Sequence, residues 1–197
     1  MRLSSILALP AAAWLLFAQP ALASNWDLDA SHSQVGFSVR HMMVSNTRGK
    51  FSKVTGTLAL DDKDITKSVV NVDIETASID TDDQKRDDHL RNEDFFDVKK
   101  FPKMTFKSKK VEKSGDKLLV TGDLTIKGTT KPVVLTVESF TPEVKDPWGG
   151  VRKGATATAK INRKDFGLTW NKALEAGGLA VGEEISIQLD LEFVKKK

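Results

Sequence analysis

From Ser24 onward the chain alternates apolar and polar residues at period two, which in a strand turns every apolar side chain to one face. The clearest run is "VVNVDIETAS", where Val70, Val72 and Ile74 face one way and Asn71, Asp73 and Glu75 the other. Trp26 and Leu28 open the pattern. Val35, Phe37 and Val39 continue it, and Val54, Gly56, Leu58 and Leu60 repeat it. Further strands are predicted from Met104 to Val111, Lys117 to Ile126, Val133 to Phe140, Gly154 to Asn162 and Ile185 to Val194. That makes about eight or nine strands. The turn chemistry between them, "LDDKD", "KSGDK" and "IKGTTKP", is short enough to make neighbours antiparallel. Such a set with one apolar face stacks as a sandwich or closes into a barrel, and closure removes the sheet edges. The pattern is therefore read as all-β, an antiparallel eight-stranded barrel.

Within the strand "GATATAKI" the apparently inward positions are Gly154, Ala155, Ala157, Ala159 and Ile161, mostly small. Eight strands enclose just enough space to be filled by side chains or to hold one slender ligand, so a small-residue wall favours a cavity. The competing reading is that bulky partners such as Phe37 or Phe106 fill that space.

Two segments break the alternation. Thr81 to Phe96 reads as a helix, with Thr81 and Gln84 at capping-box spacing and no Gly or Pro within. Asp165 to Gly182, "DFGLTWNKALEAGGLAVG", is too glycine-rich for a long helix and reads as a flap. Insertions of this kind commonly cover a barrel mouth.

The ends of the chain change the picture in one respect. Arg2 followed by "LSSILALPAAAWLLFAQPALA" and Ala21-Leu22-Ala23 reads as a secretory signal peptide, residues 1–23, leaving 24–197 as a single domain. Pro10, Gln19 and Pro20 interrupt the apolar run, which is shorter than the roughly 20 residues of a membrane span. Lys+Arg 30 against Asp+Glu 27 gives a net charge of +3, interspersed, which argues against nucleic acid as a partner. There is no cysteine, so disulfides, a thiol nucleophile and cysteine-ligated metals are excluded.

The candidate chemistry concentrates in "QKRDDHLRNEDFFD". On a helix Arg86, His89, Leu90, Glu93 and Phe96 share a face, making His89 and Glu93 neighbours. A zinc site needs a third protein ligand, for which His32 or His41 would have to serve, and no H-E-x-x-H is present. An acid/base or metal-dependent hydrolase built on Arg86, His89 and Glu93 is the alternative function. Paired carboxylates for glycoside hydrolysis would need a set separation and one desolvated member, which adjacent acids on an exposed helix do not provide. The serines of "SHS" lie in no G-x-S-x-G elbow. The remaining reading places Arg86 and His89 at a polar rim with Leu90, Phe95 and Phe96 over an apolar interior. Against it stands a structural one, Arg86 paired with Asp82 or Asp83 and His89 with Glu93.

Four blocks, "WDLDASHSQVGFSVRHMMVSNTRGKF", "DDQKRDDHLRNEDFFDVKKFPKMTFKS", "GDLTIKGTTKPVVL" and "INRKDFGLTWN", together resemble the YceI-like polyisoprenoid-binding family, in order and over nearly all of the chain after residue 23. The resemblance implies a lipocalin-like eight-stranded barrel with a short helical lid, exported to the periplasm. It also implies a long-chain isoprenoid lipid, polyisoprenoid or isoprenoid quinone, held in the lumen for transport or storage, with no catalysis and no further cofactor. The family's motifs fall on His32 and Ser33, on Arg40 and His41, on Arg86, Asp87, His89 and Leu90, and on Asn162, Arg163, Asp165, Phe166 and Gly167. One departure is Lys127, where the family often has histidine. The expected ligand contacts are Phe37, Val39, Val72, Ile74, Met104, Phe106, Leu124, Ala155, Ala157, Ala159, Phe166, Ile187 and Leu189 along the tube, Leu90 in the lid, and Arg86 and His89 near the mouth. Pairing into a homodimer is left open.

Overall fold

The computed structural model describes residues 23–175 and 177–196, so the expected leader, apart from Ala23, lies outside the described residues. The strands are β1 (Ala23–Leu28), β2 (Gln34–His41), β3 (Ser45–Phe51), β4 (Val54–Asp61), β5 (Val69–Glu75), β6 (Ile79–Asp80), β7 (Lys103–Ser114), β8 (Lys117–Ile126), β9 (Thr129–Phe140), β10 (Val144–Lys145), β11 (Val151–Asn162) and β12 (Val181–Lys195), with one helix, α1 (Gln84–Arg91).

Closure reduces these to eight staves. A 3-10 turn at Ala30–His32 interrupts one stave into β1 and β2, both paired to β12. A second stave is bent at Ser52 and Lys53 into β3 and β4, which pair with β2 and β1. Then β5, β7, β8, β9, β11 and β12 follow, each antiparallel to the last. The sheet thus meanders once round and closes, with the longest seam running from Arg152↔Val194 to Asn162↔Glu184.

The predicted strands are all present, and three were missed: β3 and the two-residue β6 and β10. β3 reads "SNTRGKF", which has no apolar alternation, and β2 holds it by seven paired residues from Val35↔Phe51 to His41↔Ser45. The expected capping box is replaced: the N-cap of α1 is Asp83, whose carboxylate accepts from the Arg86 backbone N–H at 3.0 Å. Thr81 binds the Asp87 carboxylate instead.

One end of the barrel is sealed by Trp26, fully buried against Leu58, Leu60 and Phe193. Its indole N–H donates to Ser24 Oγ at 2.9 Å, and the Lys195 and Lys153 ammonium groups lie 5.3 and 5.8 Å from its ring centroid. Beside it Arg152 joins three carboxylates: Asp29 at 2.8 Å, Asp146 at 2.8 Å, and Glu192. The Ser31 hydroxyl first, then Arg152 and His32, hold the Asp29 carboxyl well below the usual carboxylate range.

Trp26→Ala empties this seal and should lower stability by about 3–5 kcal/mol, read as a shift in the urea midpoint at unchanged m. A carboxylate with a depressed folded-state pKa contributes its full stabilisation above its unfolded value, about 3.9, and loses it as pH falls through the folded value. Far-UV circular dichroism on acid titration should therefore show native structure persisting well below pH 4, and Arg152→Gln should move the unfolding midpoint to higher pH.

Candidate functional site

The inward faces of the staves enclose a cavity of about 260 Å³. It is contacted near the sealed end by Leu58, Leu60, Phe140 and Phe193, and at the other end by Val39, Val181, Ile185 and Leu168. Among the described lining side chains only Ser68 and Arg163 carry nitrogen or oxygen. From Val181 to Phe193 at about 3.3 Å per residue, tilted as in such barrels, the tube is roughly 30 Å long. The lumen is a long, narrow tube rather than a chamber.

The space exists because the large rings lie along the wall. A Cβ on Gly49 would come 2.5 Å from Phe37 Cζ, and one on Gly122 2.5 Å from Phe106 Cζ, so both phenylalanines fold over a neighbouring glycine instead of crossing the lumen. On β11, Ala155, Ala157 and Ile161 line the cavity, Ala157 between Leu189 on one side and Val137 on the other. Phe37 and Phe106 therefore do not fill the barrel.

The open end is covered by two pieces. Leu90 of α1, with Phe95 and Phe96 just after it, faces the cavity. Arg86 holds this lid by giving Nε to the Thr81 hydroxyl at 2.7 Å and Nη2 to the Thr81 carbonyl at 2.6 Å. Arg91 donates to the carbonyls of Ala77 and Ile79 at 2.9 and 2.7 Å, and Lys127 reaches across from the β8–β9 turn to the Glu93 carbonyl at 2.8 Å. The second piece is the flap after β11. Arg163, 3% exposed, donates to the carbonyls of Leu168, Trp170 (2.9 Å), Val181 (3.3 Å) and Gly182 (2.8 Å), and so ties both ends of the flap together. Burial pulls its guanidinium pKa below the ordinary value. Lid and flap meet in an aromatic plate: His89, Phe95 and Trp170 have ring centroids 4.8–5.3 Å apart.

A closed eight-stave barrel with this architecture has known counterparts. The YceI-like domain profile matches residues 26–193. The chain belongs to the YceI-like family. A UPF0312 protein of Photorhabdus laumondii is 40% identical over 195 residues, 98% of each chain. The crystal structure of BcnA from Burkholderia cenocepacia superposes with a TM-score of 0.73 at 25% identity, over 84% of this chain and 98% of that one. A polyisoprenoid binding domain from Saccharophagus degradans, implicated in plant cell wall breakdown, superposes at 0.63 with 15% identity over 87% and 98%, a likeness of fold.

Of the residues expected to contact ligand in this YceI-like chain, Phe37, Val39, Val72, Ile74, Leu90, Met104, Phe106, Leu124, Ala155, Ala157, Ile187 and Leu189 line the cavity. Ala159 and Phe166 pack into the surrounding core without reaching it. Arg86 and His89 are not among the residues that line the cavity. Arg86 is committed to Thr81, and His89, one ring of the aromatic plate, gives Nε2 to Asp94 Oδ2 at 2.8 Å. α1 ends at Arg91, so Glu93 lies beyond the helix and the expected His89/Glu93 neighbours do not form. The Arg86/His89/Glu93 cluster of the alternative reading is therefore not assembled.

A trio the sequence did not single out does come together: Asp29, His32 and Glu192 place ligand atoms within 4.8 Å of one another. The Arg152 guanidinium already bridges the two carboxylates, and a cation there would have to displace it. Two polar residues at the lumen were not among the expected ligand contacts: Ser68, and Arg163, which the sequence placed only in a family motif. The signal for Arg163 was its place in the block "INRKDFGLTWN", two residues after the inward-facing Ile161.

Arg163→Met leaves the carbonyls of Leu168, Trp170 and Gly182 without this donor. It should cost about 3 kcal/mol. Hydrogen exchange over residues 164–182 should accelerate, while the amides of β8 stay protected.

Proposed function

We propose that this chain binds one long-chain isoprenoid lipid, a polyisoprenoid or isoprenoid quinone, along its lumen and carries or stores it in the periplasm, without catalysing a reaction. The observation that supports this is the shape and chemistry of the cavity: a narrow apolar tube, sealed by Trp26 at one end and covered by the lid and flap at the other. Each methylene taken from water into such a tube contributes about 0.8 kcal/mol, so a chain that fills its length binds tightly with few polar contacts. A branched, repetitive hydrocarbon matches a wall of Val, Leu, Ile and Phe. A compact polar substrate does not.

The name of the Saccharophagus degradans domain, which shares the fold, is consistent with such a ligand. Export follows from the signal-like leader and the family's periplasmic setting. No helix among the described residues is long and apolar enough to cross a membrane. The acid/base alternative lacks its assembled cluster, and among the described residues that line the cavity there is no carboxylate to act as acid or base.

Organic extraction of the purified protein followed by mass spectrometry should recover a long-chain prenyl lipid near one per chain. Ala157→Phe, which places a ring in the tube at the seam, should cut the recovered lipid about tenfold with a stability change of about 1–3 kcal/mol. An empty extract, together with no prenyl lipid retained after soaking, sinks the reading.

A further inference from the structure

The turn between β2 and β3 reads Met42-Met43-Val44, and these residues are 45%, 56% and 77% exposed. Three consecutive large apolar side chains at a hairpin tip are an unusual composition, since turns favour Gly, Asn and Asp. The backbone is unusual too: Met42 and Met43 have φ of 47° and 60°, the left-handed region, in which a methionine is strained. Asparagine or glycine would suit both the geometry and the solvent better, so the fold alone does not account for the methionines.

The tip stands at the covered end of the tube. It follows His41, whose strand partner Val181 lines the cavity, and the Met42 N–H donates to the Ala180 carbonyl of the flap at 2.8 Å. Met43 lies beside Gly178 of the same flap. The tip, the rim and the flap are therefore one continuous surface. Two cations stand on the hairpin beside it. Arg40, and Arg48 opposite Ser38, lie on the outer face of the hairpin, since the alternate β2 positions Phe37 and Val39 turn inward. Arg40 gives Nη2 to the Met43 carbonyl at 2.8 Å, and among the described residues neither arginine is in an ion pair. On the flap Lys172 stands against Asp165 and Glu175, and beyond it Glu183 and Glu184 pair with Lys164 and Lys160.

We propose that the Met42-Met43-Val44 tip is where the protein docks on a lipid bilayer bearing anionic headgroups, bringing the lid and flap against the membrane. Apolar side chains flanked by cations whose stems reach along them are the composition that partitions into a charged bilayer interface. A protein partner fits less well, because three side chains cannot supply the roughly 1,000 Å² that a specific interface buries. A bilayer needs no such complementary area. The other exposed anchor, Trp148 at 85%, sits on the β10–β11 turn at the sealed end, roughly 40 Å away along β12. One bilayer cannot take both tips.

The test uses protein beginning at Ala23, which contains every described element, in co-sedimentation with vesicles of phosphatidylcholine alone or mixed with phosphatidylglycerol. The protein should pellet with the mixed vesicles. Met42→Asn/Met43→Asn/Val44→Thr should reduce binding about tenfold while its melting temperature holds or rises, because asparagine accepts the left-handed backbone. Arg40→Gln/Arg48→Gln should erase the preference for phosphatidylglycerol, and Trp148→Ala should bind as the parent does. The proposal is overturned if the parent protein stays in the supernatant, if the triple variant binds unchanged, or if Trp148→Ala is the variant that detaches. It is equally overturned if sedimentation velocity shows a dimer that the triple variant alone dissolves, since the tip would then be a self-contact. Vesicle binding reads the tip and lipid extraction reads the lumen, so either result can fail without the other.

Discussion

The pairing of β11 with β12 closes the sheet, and the rest of the molecule follows from that closure. Once the eleven residue pairs of the seam are made, every stave has two neighbours and every inward side chain points at a common axis. With eight staves that axis is too narrow for a chamber and too wide to be filled by small residues. The alanines of β11 lie along the seam itself, and Phe37 and Phe106 lie over glycines rather than across the tube. The tube of empty space is what remains.

A tube of this kind needs ends, and the two ends are built from different chemistry. The sealed one uses permanent burial, with Trp26 under two lysines. The covered one uses a few directional bonds from arginines to backbone carbonyls. Arg86 and Arg91 fasten the lid, and Arg163 fastens the flap. Backbone acceptors suit cations beside an apolar lumen, because a guanidinium's rigid fork of donors can satisfy several carbonyls that would otherwise be orphaned. This explains why so charged a stretch as "QKRDDHLRNEDFFD" covers an apolar lumen: its cations turn outward and backward, and only Leu90, Phe95 and Phe96 turn in.

Much of this was legible in the chain. Strict alternation in "VVNVDIETAS" and "ISIQLDLEF" identified the strands and the faces that meet in the core, because period two is a local property of extended backbone. β3 was not legible, since "SNTRGKF" is a strand by virtue of β2 beside it. The lid was visible as a helix with two inward phenylalanines. The roles of Arg86 and His89 were not, because helical periodicity says which side a residue is on but not which partner waits there. Thr81 and Asp94 took them.

The sequence by itself determined an antiparallel all-β chain with an apolar inner face, a small-residue strand and two insertions, because hydrophobic period and turn chemistry act over a few residues. Only the tertiary structure decided that the sheet closes between β11 and β12, that the aromatic rings lie flat and leave a tube, and that the arginines bind carbonyls rather than a head group. Those outcomes rest on contacts between residues distant in sequence, where the deciding quantities are register, volume and hydrogen-bond geometry.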